Sequence, residues 1–244
     1  MSNLQSKVAE NMIFVAEFAA LVFVIFLLAY VVEKRIHLRN GDRERILSTR
    51  KIALIGLFSA VSAVLMTIEL PLPFAPPFYK IDLSELPILI ITFAYGPVAG
   101  VMTEFIKILL KLVIKSTSTA FVGELANFSV GCAMVLPAGI VYLEKKTKKM
   151  AMYACLTGVL CMTVLGSLFN AIYLLPKFSE LYGMPLEAIV EMGTAINPAI
   201  TDVRTMALFA VAPLNLLKGG IDTVLTTLLY KRLSTLLKDH PGRR

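Results

Sequence analysis

Apolar residues run along this chain in helix-length stretches, separated by short polar, basic or proline-rich segments. The pattern predicts seven helices, at 12–33, 51–69, 83–95, 97–115, 121–143, 151–175 and 205–230. Runs of about 20 apolar residues suit an α-helix crossing a bilayer, and they lack the alternation of ten-residue barrel strands. The third stretch is short and meets Gly96-Pro97, where a helix breaks. A polar, basic linker, EKRIHLRNGDRERILSTRK, sets the first stretch apart, and its Asn40-Gly41-Asp42 turn signal interrupts any continuous helix. This division predicts an additional N-terminal transmembrane helix (1–33), a basic linker (34–50), a six-helix core (51–238) and a short tail (239–244).

Composition agrees with the pattern. The 244 residues are 57% hydrophobic and 17% charged, and mean hydropathy is +0.76. A soluble domain is about half apolar and a quarter charged. An all-α integral membrane protein is therefore expected. The net charge of +7 does not point to nucleic acid, because 16 of the 24 Lys and Arg residues lie in segments 34–51, 145–149 and 231–244. Threading seven spans puts all three segments on one side, which the positive-inside rule makes cytoplasmic; the N-terminus is then outside and the C-terminus inside. The first span is not read as a cleavable signal, since its basic flank follows the apolar run and no small-residue cleavage pattern appears. Cys132, Cys155 and Cys161 lie within apolar runs and read as small core residues.

No G-x-x-x-x-G-K-[ST], H-E-x-x-H, paired-cysteine or serine-elbow motif occurs, so the sequence shows no catalytic constellation, metal site or ATPase loop. His37 and His240 sit in basic flanks as interfacial residues. What needs explaining is the polar set inside the apolar runs, because an intramembrane polar group faces protein or a cavity. In VAPLNLLKGG, Asn215 and Lys218 project within about 60° of each other on a helix. Pro213 loosens the ladder before them, and Gly219-Gly220 permits close approach after them. Lys218 either contacts a ligand, pairs with an acid such as Glu124 or Asp222, or snorkels outward.

Asn170, in SLFNAIYLLP, is expected at the same depth as Asn215; the alternative for it is an amide bond between helices. Glu124 and Asn127, in VGELANF, are candidates for the same site, or for capping and helix packing. Glu104, Lys107, Lys111 and Lys115 form one helical stripe that reads mainly as structural and pathway-facing, with direct ligand contact as the alternative. The connection IELPLPFAPPFYKIDLSELP carries five prolines that forbid a regular helix. Its Leu72, Phe74, Phe78 and Tyr79 suit a greasy lid or an interfacial anchor, and Asp82 or Ser84 suits an N-cap of the next helix.

Taken in order, ELPLPFAPPFYKIDLSELP, FAYGPVAGV, GELANF, SLFNAIYLLP and PLNLLKGG make residues 51–238 resemble the riboflavin-specific S components of energy-coupling factor (ECF) transporters. The resemblance implies a six-helix fold with an outward-facing vitamin pocket, capped by the loop between the first two core helices. It implies no cofactor, only riboflavin or FMN as transported ligand, and as partners a transmembrane T component with two ATPase subunits. It assigns ligand contact to Asn170, Asn215 and Lys218; Glu124, Asn127, Lys80 and Asp82 stand beside them as further candidates from the sequence itself. Asparagine offers both donor and acceptor, and lysine donors, to the imide edge or ribityl oxygens of a flavin. In IALIGLFSAVSAVL, the small-xxx-small pairs Gly56/Ala60 and Ser59/Ala63 are the expected T-component face, with packing inside the chain as the alternative.

Three features depart from the family pattern: the additional helix 12–33, Lys80 where a small hydroxyl residue is expected, and a long amphipathic segment 176–203 expected at the membrane interface. A cation at position 80 would admit a phosphorylated flavin. An S component for another vitamin, or a membrane interaction protein without transport, are the competing readings.

Overall fold

The structure, a computed structural model, describes residues 12–42, 45–117, 119 and 121–238. The expected tail 239–244 with His240, residues 1–11 and Arg43 lie outside the described residues, as do the basic side chains of 231–238. Helix α1 spans Met12–Asn40. It has no interior glycine or proline, so it continues seven residues into the expected linker. Gly41, at φ +68°, then ends it: Gly41 N–H donates to Leu38 O and Asp42 N–H to His37 O, satisfying two terminal carbonyls.

Helix α2 is Thr49–Thr67, capped by Ser48, whose side chain accepts from Lys51 N–H. Strands β1 (Leu70–Pro71) and β2 (Lys80–Ile81) pair antiparallel and tie the proline-rich connection into a closed loop. Helix α3, Glu85–Tyr95, has 11 residues. At 1.5 Å per residue it covers only about 16 Å, roughly half a bilayer core. It is buried nearly all round, with Ile88, Leu89 and Ile91 fully enclosed. Gly96 (φ +98°) turns the chain into α4, Pro97–Ile114, with Pro97 in its first turn, where a missing N–H is harmless.

Helix α5 is Val122–Glu144 and α6 is Lys148–Phe169. A π turn at Asn170–Leu174 leads into α7 (Leu175–Tyr182), followed by α8 (Leu186–Thr194) and the one-turn α9 (Val203–Met206). A second π turn, Ala207–Val211, leads into α10, Ala212–Lys238. Both π turns end just before a proline, Pro176 or Pro213. A proline ring clashes with the carbonyl four residues back and offers no N–H to it. The helix widens there, and Leu175 N–H and Ala212 N–H reach five residues back to Asn170 O and Ala207 O.

Among the described residues, five helical stretches are long and apolar enough to cross a membrane: α1, α2, α5, Lys148–Leu181 and Val203–Leu229. The other two expected spans differ for physical reasons: α3 is too short, and α4, with 18 residues, carries the charged stripe. One end of the bundle bears the β1–β2 loop and α7–α9. The other bears the end of α1 and the start of α6, where Arg39 of α1 pairs with Glu144 of α5.

The first helix is not a separate anchor. Phe14, Ala29, Glu33 and Ile36 are buried against the core, and Phe18, Val22 and Phe26 pack on the α4–α5 cluster. Glu33, expected at the edge of a solvated linker, instead accepts a 2.8 Å hydrogen bond from Val98 N–H at the start of α4. A carboxylate there meets unpaired N–H groups and the positive end of the helix dipole. Gly96 makes room for it, since a Cβ at that position would lie 2.7 Å from the Glu33 carboxylate.

Candidate functional site

At the loop-bearing end, α5, α6, α7 and α10 surround a cavity with about 850 Å³ of atom-free space, mouth included. Asn170, Asn215 and Lys218 line it together with Asn127, Phe78, Tyr79 and Lys80. The two π turns place the central pair: Asn170 opens the first, and Asn215 follows the second by four residues. Asn170, Asn215 and Lys218 are each more than nine-tenths buried.

The polar groups are held by defined partners. Tyr79 Oη donates to Asn170 Oδ1 at 2.6 Å, so the loop closes directly onto a site asparagine. Asn215 Nδ2 donates weakly to Met162 O at 3.5 Å, and Gly166 gives the amide its room, because a Cβ there would lie 2.8 Å from Nδ2. Asn127 Nδ2 donates to Gly123 O at 2.8 Å, leaving its carbonyl oxygen without a partner among the described residues. Leu174, Leu175, Phe178, Val211 and Leu214 supply the apolar wall. A largely apolar hollow with a few placed polar groups is the usual form of a small-molecule site.

Lys218 does not pair with Glu124 as the sequence allowed. Its Nζ lies 3.2 Å from Asp82 Oδ2 and 3.5 Å from Glu85 Oε1. Asp82 is thus not part of the cavity wall; it holds a wall residue, while its Oδ1 accepts from Ser84 N–H at 2.8 Å. Glu85, unflagged in the sequence because it reads as an ordinary first-turn acid, does line the cavity. It joins Lys218 to Lys107, whose Nζ is 3.0 Å from Glu85 and 2.7 Å from Glu104. Removing one member of such a buried set costs about 3–5 kcal/mol, because a charge is left without compensation.

Glu124 is committed elsewhere. Lys111 Nζ is 2.5 Å away, Thr117 and Thr119 hydroxyls donate to it, and it is absent from the cavity wall. The packing alternative for Glu124 is the one observed, since its carboxylate accepts from Lys111, Thr117 and Thr119. The loop residues divide as well. Phe78 and Tyr79 line the cavity, whereas Leu72 and Phe74 turn to a cluster with Ile189, Val190 and Ile200. Segment 176–203 therefore does more than lie at an interface: α7 and α8 cover the loop, and Phe78 stacks on Phe178 at 5.9 Å.

Lys80 lies at the cavity wall but its Nζ is 2.8 Å from Glu69, which also meets Lys115 at 3.3 Å. Burial pushes the Glu69 carboxyl up, yet the two ammonium groups outweigh it and hold it below the usual carboxylate range. Both cations thus share one carboxylate, and the trio keeps a net positive charge. On α2, the two small-residue pairs separate. Gly56 and Ala60 are exposed, and a Cβ on Gly56 would meet nothing within 4 Å. Ser59 and Ala63 are buried, and Ser59 Oγ donates to Ile55 O at 2.7 Å and approaches Thr103 O at 3.4 Å. Only the Gly56/Ala60 face is free to meet another helix.

The family model of the ECF transporter substrate-specific component matches residues 50–230. The riboflavin transporter RibU of Staphylococcus aureus is 32% identical over 204 residues, covering 82% of this chain and 98% of that protein. The riboflavin transporter FmnP of Bacillus subtilis is 28% identical over 190 residues, covering 77% and 93%. A solved S component of a bacterial ECF transporter superposes with a TM-score of 0.60 at 32% identity, covering 78% of this chain and 98% of that one. Helix α1 precedes the residues that the family model matches. The chain is a multi-pass membrane protein and belongs to the substrate-specific (S) components of ECF transporters.

Proposed function

We propose that this S component binds riboflavin in the cavity beneath the β1–β2 loop, on the extracellular side, and delivers it inward with a T component and two ATPase subunits. The observation that carries the reading is the convergence of Asn170, Asn215 and Lys218 on one apolar hollow closed by Tyr79. An isoalloxazine ring is flat and mostly apolar, with one edge of alternating carbonyl and N–H groups. Two asparagine amides and an ammonium supply donors and acceptors for such an edge, and Phe78 and Tyr79 supply ring cover. Named riboflavin transporters at about 30% identity over most of the chain support the same ligand.

Riboflavin is preferred over FMN in this reading, because Lys218 is held by Asp82 and Glu85 and Lys80 is engaged by Glu69, so a phosphate would compete with a carboxylate at either cation. The exposed Gly56/Ala60 face of α2 is the proposed T-component contact. A thermal-shift panel of vitamins tests the assignment: riboflavin alone raises the midpoint strongly in the wild type, and Asn215→Ala and Lys218→Ala reduce that rise. Stabilisation by a different vitamin, or equal stabilisation of both variants, overturns it.

A further inference from the structure

Asp222 stands one helical turn beyond Lys218 on α10 and is fully buried. Neither of its carboxylate oxygens has a hydrogen-bond partner among the described residues. Its electrostatic neighbours are Lys218, Glu85, Asp82 and Lys107. A buried carboxylate left without a partner is costly, and nothing in the ligand cavity uses it, since Asp222 is not among the wall residues. Residues four apart on a helix are neighbours, so a turn of the flexible Lys218 side chain along its own helix would bring its ammonium toward Asp222.

The other end of that swing is tied to the loop. Asp82, which now holds Lys218 at 3.2 Å, directly follows strand β2, the return arm of the loop. Asp82 is the acid of this set that adjoins the loop, and its other oxygen accepts from Ser84 N–H. Glu85 offers no full replacement, because it lies closer to Lys107, at 3.0 Å, than to Lys218, at 3.5 Å.

We propose that Asp222 is the second seat of Lys218: when the loop opens and Asp82 leaves, the ammonium moves one turn along α10 to Asp222. The move does two things. It keeps the ammonium hydrogen-bonded to a carboxyl group in both states, which lowers the free energy of the open state. It also withdraws the ammonium from the cavity wall, so loop opening and loss of a ligand contact become one event. The second consequence rests on the reading of Lys218 as a ligand contact given above; the first does not.

The test uses the full-length protein in nanodiscs. Hydrogen exchange of the loop amides between residues 70 and 81 is measured without ligand, and riboflavin release is followed by stopped-flow fluorescence. Asp222→Asn removes the open-state partner, so loop exchange and riboflavin release both slow, by tenfold or more. Asp82→Asn removes the closed-state partner and speeds both. A residue that only supports packing would move the two variants in the same direction. Loop exchange that is unchanged or faster in Asp222→Asn overturns the proposal, and Asp222→Ser gives the same readout should the amide variant not fold. If the wild type binds no riboflavin, the functional reading falls, while loop exchange in the ligand-free protein still decides the role of Asp222.

Discussion

Gly166→Ala is the substitution whose effect the site geometry fixes most sharply. Gly166 lies on α6, one helix away from the asparagine it serves. An added Cβ would sit 2.8 Å from Asn215 Nδ2 and 3.3 Å from Val130 Cγ2. Ordinary van der Waals contact begins near 3.4 Å, so the amide must retreat by about half an ångström or turn about its side-chain bonds. Either movement breaks the already long bond to Met162 O and misdirects the amide from the cavity. Overpacking of this kind costs about 1–3 kcal/mol. Because the strain falls on a group that the ligand needs in place, most of it appears in affinity, which weakens about five- to 150-fold. Helix propensity works the other way, since alanine favours a helix interior by about 1 kcal/mol over glycine. The variant should therefore fold well while binding poorly. Quenching of riboflavin fluorescence on titration with purified protein measures the dissociation constant. Gly220→Ala is the control, because a Cβ there meets nothing within 4 Å and affinity should not change. Wild-type affinity in Gly166→Ala would refute the placement of Asn215 in the binding site.

Other perturbations follow from single contacts. Tyr79→Phe removes the bond to Asn170, worth about 0.5–1.5 kcal/mol, and should weaken riboflavin binding about two- to tenfold, chiefly through faster release. Glu33→Ala leaves Val98 N–H buried without a partner and should lower stability by about 1.5–3 kcal/mol in thermal unfolding, with flavin affinity unchanged. Acid should loosen the loop. The folded Glu69 carboxyl titrates below its unfolded value of about 4.3, so its support for closure is complete above that pH and is lost as pH falls through the lower, folded value. Loop hydrogen exchange, corrected for intrinsic rate, should rise in that window and be flat from neutral pH down to it.

Much of the architecture was legible because bilayer-length apolar runs and proline or glycine breaks are local signals. Gly41 ends α1 and Gly96-Pro97 divides α3 from α4 where the sequence says a helix must stop. Asn170, Asn215 and Lys218 were legible as residues turned to one hollow because an intramembrane amide or amine needs a reason to be there. Pairings between distant segments were not. Lys218 and Asp82 are 136 positions apart and Glu33 and Val98 are 65 apart, and no periodicity links them. Glu124 looked equivalent to Asn127 because both lie on α5 three residues apart, yet only a distant lysine, Lys111, decides which one is spent. The two small-residue pairs of α2 are turned by only about 60° from each other around the helix, and the position of α4 settles that Gly56 is open while Ser59 is covered. The π turns carried a faint signal in Pro176 and Pro213, but whether a helix bends, breaks or widens at proline depends on its neighbours.

Native mass spectrometry of the freshly purified protein, supplied with riboflavin, addresses the binding assignment most directly. One riboflavin mass should be retained per wild-type chain and lost from the Asn215→Ala, Lys218→Ala double variant. A wild-type spectrum free of flavin, or a double variant that holds it as firmly as the wild type, would contradict it.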